Sequence, residues 1–149
     1  MEKFGQLTAF LESLDGVTRD QMESFVSIGR PKPTGRDLGQ GFEIGRFQYD
    51  AVIGIDRFPA EIATTLIVLL IIWLWGNDPD REQLELEDPE IEITPLDDQT
   101  VFVEITVVFD ESLFIVPDPQ GTIPYDGQMW RISSVPVDVA ESLDSMEKA

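Results

Sequence analysis

The chain has 149 residues, with 10 Lys or Arg against 29 Asp or Glu, a net charge of −19 and no Cys or His. That balance argues against nucleic-acid binding by the surface, which needs clustered basic residues, and against attraction to anionic membranes. The missing Cys and His remove disulfides, Cys/His zinc sites, Ser-His-Asp and Cys-His catalysis and the usual general base. At 42% hydrophobic the chain can bury a core, and its length suits one domain.

In chain order, Met1–Asp15 reads as a first helix. Leu7, Phe10, Leu11 and Leu14 fall at i, i+3, i+4 and i+7 on one face, with Gly16 as a stop. The start, Met1-Glu2-Lys3-Phe4-Gly5, has no basic region followed by an apolar one, so no secretory signal is expected. Ser24–Gly29 reads as a short strand. Arg30–Gly41, with its prolines and glycines, reads as an exposed loop. On so acidic a chain its basic residues, Arg30, Lys32 and Arg36 beside Pro33, are candidate contacts for an acidic neighbour. Phe42–Phe58 reads as a long strand in which Tyr49 and Ile53 are core positions, with a bulge near Gly45 where the apolar phase slips.

The most hydrophobic stretch follows, Leu66–Trp75 inside Phe58–Pro79. Pro59 suits a first helical position, Glu61 a first turn, and Gly76 with Pro79 a stop, so a helix is expected over Pro59–Trp75. It is apolar all round and must be covered on several sides. Leu66, Leu70 and Trp73 are assigned to its core face, and Trp75 to a surface covered by the first helix or by another subunit. A membrane span needs about 20 apolar residues and positive flanks, so no membrane is expected.

Ile91–Pro95 and Val101–Phe109 alternate with period two and read as an antiparallel hairpin around Leu96–Gln99. Leu113–Val116 suggests a further strand, and Pro124–Gly127 a turn. Trp130 either joins a strand or packs on a neighbour. The expected fold is α+β, an antiparallel or mixed sheet packed on a central apolar helix. Its order is α-β-β-α-β-β, one domain over residues 1–132 with a partly mobile acidic extension over 133–149.

Chemical motifs fail. Asp78-Pro-Asp80-Arg-Glu82 starts like a calcium loop but has Gln83 and Pro89 where Gly and Glu are required. Gly39-Gln-Gly41 lacks the third glycine of a dinucleotide loop. Asp97-Asp98 lies in a turn without an apolar pocket. No enzyme, metal or cofactor is expected.

Several segments together resemble a phage family. The strand Phe47–Asp56 runs into an apolar helix ending Trp73-Leu74-Trp75-Gly76-Asn77-Asp78-Pro79-Asp80, and an acidic hairpin follows. This is similar to the tail completion protein R (GpR) family of contractile-tailed phages, with Asp78 standing where that family's motif suggests Gln. The element order also resembles tail terminators, which form sixfold rings. The resemblance implies a structural virion protein that completes the head-proximal end of the tail tube, as a homo-oligomer expected to be a hexamer. Its partners would be the tail tube protein, the sheath and the neck or head-completion proteins, and its sites the virion tail and, during assembly, the host cytoplasm. Interface candidates are Arg30, Lys32, Pro33, Arg36, Trp75 and Trp130. If such a ring surrounds passing DNA, its lining should repel phosphate without specific binding; Asp97, Asp98 and Glu104 are the lumen candidates. The competing readings are a head–tail connector or adaptor of the neck, and an acidic DNA mimic that inhibits a nucleic-acid enzyme.

Overall fold

The computed structural model describes residues 1–39 and 41–133. The acidic extension expected over 133–149 lies, from 134 onward, outside the described residues. The elements are α1 (Glu2–Glu12), β1 (Met22–Asp37), β2 (Phe42–Pro59), α2 (Ala63–Asn77), β3 (Glu90–Pro95), β4 (Thr100–Pro117), β5 (Ile123–Tyr125) and β6 (Gln128–Ser133). The sheet order is β1-β2-β4-β6-β5, with β3 also paired to β4. These residues fall into two compact units. Unit 1 is Met1–Gly29 with Gln48–Asp110; unit 2 is Arg30–Phe47 with the chain from Glu111. The long strands β1, β2 and β4 pass from one unit into the other.

In unit 1 the core is aromatic at its centre. Tyr49 and Phe109 are fully buried, with ring centroids 5.8 Å apart. Phe10 of α1 stacks on Trp73 of α2 at 6.4 Å, and Trp73 meets Phe109 edge-on at 6.4 Å. Aromatic pairs at this spacing add to the burial energy of each ring. α1 contributes Leu7 and Leu11, both fully buried. It ends at Glu12, three residues short of the expected Asp15, because the chain turns through Ser13 to Gly16 at φ +85°. A Cβ on Gly16 would come within 3.0 Å of Pro59, so the turn needs glycine on two counts. β3 pairs antiparallel with β4, Ile91 opposite Ile105 and Ile93 opposite Val103. Odd-numbered Val101, Val103, Ile105, Val107 and Phe109 are all buried, as strand alternation requires.

Three expectations are corrected. Arg30–Asp37 is not a loop but the second half of a 16-residue strand. Its Pro and Gly content is tolerated because β1 stands at the edge of the sheet order. No phase slip occurs near Gly45: Glu43, Gly45, Tyr49, Ala51, Ile53 and Ile55 are all buried odd positions, and Ile44 is exposed. The slip comes at Arg57, whose φ of +53° turns Phe58 inward. Gln21 Nε2 donates to the carbonyls of Asp56 and Arg57 there, at 2.9 and 3.2 Å. The apolar helix begins at Ala63 after a 3-10 turn over Ala60–Ile62, and it runs through Gly76, which is not left-handed, to Asn77. Within the single chain, α2 is covered on one face. Leu66, Leu70, Trp73 and Leu74 are buried, while Val68, Ile71, Ile72 and Trp75 are exposed.

Unit 2 holds the ends of β1 and β2, the end of β4, and β5 with β6. β4 and β6 are antiparallel, Ile115 opposite Ile132. Residues 111–117 continue β4 rather than forming a separate strand. β5 and β6 form a hairpin, of which sequence reasoning gave the turn and, as one of two alternatives, the strand at Trp130. Asp126 and Gly127 are its two loop residues, at φ +52° and +76°, as a two-residue hairpin demands.

Candidate functional site

The exposed side chains of α2 form a regular stripe. Val68, Ile71, Ile72 and Trp75 occur at i, i+3, i+4 and i+7, so they share one face of the helix. Trp75 is 75% exposed and Ile72 53%. The stripe opens into a groove of about 810 Å³, lined by Ile71, Leu74, Trp75, Pro79, Glu82, Leu86 and Asp88 among others.

An ion cluster under the groove fixes its floor. Asp78 has no exposed surface. Its N–H closes the last turn of α2 onto Leu74 O, and its carboxylate accepts from Lys3 Nζ at 2.5 Å and Arg81 Nη1 at 2.6 Å. Arg81 also donates to Val108 O at 3.1 Å and to Glu87 O at 2.9 Å. One guanidinium thus ties the segment after α2 to β4. The rim carries two exposed carboxylates, Glu82 and Asp88.

Unit 2 is organised around another carboxylate. Glu43 is 1% exposed and accepts from Thr34 Oγ1 at 2.6 Å and from Arg36 Nη2 and Nε at 2.7 and 3.1 Å. The Arg36 guanidinium, helped by Thr34, holds the Glu43 carboxyl down to about 2, against the opposing effect of burial.

Arg30, Lys32 and Pro33 are exposed on β1, and Arg36 is bound to Glu43. Trp75 is exposed in unit 1, so these basic residues and the indole belong to different units. Trp130 is only 8% exposed; its Nε1 donates to Tyr125 O at 2.7 Å and its ring lies 5.8 Å from Tyr125. Its own hairpin covers it, which leaves little of the ring for a partner. Asp97 accepts from the N–H groups of Gln99 and Thr100 at 2.8 and 2.7 Å, and these bonds lower its pKa. Asp98 is exposed. Glu104 is half-buried, directly opposite Glu92. Tyr49, Ile53, Leu66, Leu70 and Trp73 are buried. Sequence reasoning missed Lys3, Asp78, Arg81 and Glu43 as organising groups. Only the Asp78-x-x-Arg81 spacing gave a local signal, since Lys3 lies 75 residues away.

Among the described residues no group of three acidic, His or Cys side chains is placed to hold a metal ion. Ala60–Asn77 is long and apolar enough to cross a membrane by length and composition, although one face of it packs in the core of unit 1.

Over 145 residues the chain is 28% identical to an uncharacterized 19.2 kDa protein in the rep-hol intergenic region of Haemophilus phage HP1, covering 95% of this chain and 87% of that protein. No solved structure matches. Residues 1–134 match the family of the P2 phage tail completion protein R (GpR). The chain therefore belongs to the P2 phage tail completion protein R (GpR) family, a family of structural tail proteins rather than enzymes.

Proposed function

We propose that this tail completion protein closes the head-proximal end of a contractile tail tube and presents the surface on which the neck docks. Six copies form a ring around the DNA path, in contact with the tube, the sheath and the head-completion proteins. The observation that carries the ring's polarity is the division of charge. Unit 1 has four basic residues, Lys3, Arg19, Arg57 and Arg81, against twenty acidic ones. Unit 2 balances Arg30, Lys32, Arg36, Arg46 and Arg131 against Asp37, Glu43, Glu111, Asp118 and Asp126 among its described residues. An acidic bore repels phosphate, so DNA slides past without the counterion release that drives binding. The exposed Asp98 and the Glu92–Glu104 pair are the carboxylates assigned to it.

Particles made without the protein test this. Filled heads beside unattached or overlong tails are expected. Finished tails with leaking heads would assign the protein to the neck instead. Mass measurement of purified tails should give six copies.

A further inference from the structure

We propose that the Trp75 groove of one copy receives the Arg30–Pro33 segment of a second copy. This contact rests on the reading of the chain as a self-assembling tail subunit, and it names the two surfaces that meet.

The α2 stripe exposes apolar surface on the order of 400 Å², as large as the functional patches of soluble proteins. Interfaces place such a patch at the centre and a polar rim around it. Here the exposed charges of the rim are Glu82 and Asp88. The occupant must therefore be apolar in the middle and positive at its margin. Two candidates fail on charge. An anionic lipid surface meets the rim with its own sign. A second copy docked through the same face sets Glu82 and Asp88 against their equivalents.

The chain itself supplies the complement. Arg30-Pro31-Lys32-Pro33 lies on β1, a strand of 16 residues none of which is buried, at the edge of the sheet order. Prolines alternate with bases there, so rings and cations leave the strand on opposite sides. Proline rings are established partners of aromatic-lined grooves. Pro31 and Pro33 lie against the Trp75 indole, and the long side chains of Arg30 and Lys32 reach the carboxylate rim. Because the surfaces differ, the contact is head-to-tail, the type that propagates into a ring.

The absence of cysteine permits a direct test in the full-length chain. Two single-cysteine proteins, Trp75→Cys and Pro33→Cys, are mixed and mildly oxidised, and the linked peptides are identified by mass. A disulfide between position 75 of one copy and position 33 of the other is expected. The charge reversal Glu82→Lys with Asp88→Lys should weaken self-association at least tenfold, and Arg30→Glu with Lys32→Glu in a second copy should restore it. Links of position 75 to itself would overturn the proposal, as would protection of Trp75 by phosphatidylcholine vesicles. A chain that stays monomeric, and whose two cysteines remain unlinked in purified tails, would also overturn it. In that last case the presence of the chain in tails leaves the tail reading intact. Its absence from tails defeats that reading, while the link formed in solution still decides the contact.

Discussion

Lys3, at the start of α1, and Asp78, just past the end of α2, form an ion pair at 2.5 Å in which the carboxylate has no exposed surface. Arg81 completes the cluster from the other oxygen at 2.6 Å. Removing the anion strands two cations that are 23% and 15% exposed. Asp78→Ala should therefore cost about 3 kcal/mol of stability, read from the midpoint of urea unfolding. Lys3→Met should cost less, because Arg81 keeps its bonds to Asp78, Val108 and Glu87. Equal losses would show that the cluster does not act as a unit centred on Asp78.

Glu43 makes stability depend on acid. Its carboxyl titrates near 2 in the folded chain and near 4.5 without its partners. A depressed carboxylate adds stability above the unfolded value and loses it as pH falls through the folded one. The window here is pH 4.5 down to 2. Thermal unfolding of Glu43→Gln should be less stable at pH 7 and flatter with pH across that window than the parent. A parallel pair of curves would remove Glu43 from the acid response.

The three tryptophans divide by exposure. Trp73 and Trp130 are each 8% exposed and Trp75 is 75%. Acrylamide should quench one accessible class of emission in the dispersed chain, and Trp75→Phe should abolish it. Since Trp75 packs against so little of its own chain, Trp75→Ala should change stability by less than about 0.5 kcal/mol. A larger loss would mean that the indole serves the fold.

Glu92 stands directly opposite Glu104 across the β3–β4 ladder. Like charges so placed are destabilising, and opposite charges favourable, by roughly 0.2–1 kcal/mol per pair. Glu92→Lys should raise the melting temperature by a few degrees. A stability cost that persists in the natural sequence is what an acidic bore would require, so the same variant should also make the assembled tail retain DNA.

Periodicity carried the central parts of the fold. The alternation of Val101 to Phe109 gave both the strand and its buried face. The 3.6-residue spacing of Leu7 and Leu11 gave the buried face of α1. Composition misled where a residue type has two uses. Pro31, Pro33 and Gly35 mark loops in most contexts, yet an edge strand tolerates them. Glu43 and Gly45 hid the phase of β2, because a buried carboxylate and a glycine carry no hydrophobic signal. The face of α2 expected to turn inward, Leu66, Leu70 and Trp73, is buried, but its partners Phe10 and Phe109 sit far away in sequence and could not be read from it. The Asp78 cluster was illegible for the same reason, since Lys3 meets it only after folding.

The prolines of β1 also bear on how the protein survives before assembly. A long exposed edge strand invites stacking with its like, and a subunit made in many copies would be at risk of fibre growth. Proline is tolerated in a strand only where its missing N–H faces away from the neighbouring strand, so Pro31 and Pro33 delete donors from the open edge itself. Another strand has too few donors there to be stitched on, and Lys32 between them adds repulsion. Copies can thus touch along β1 through side chains without fusing their sheets.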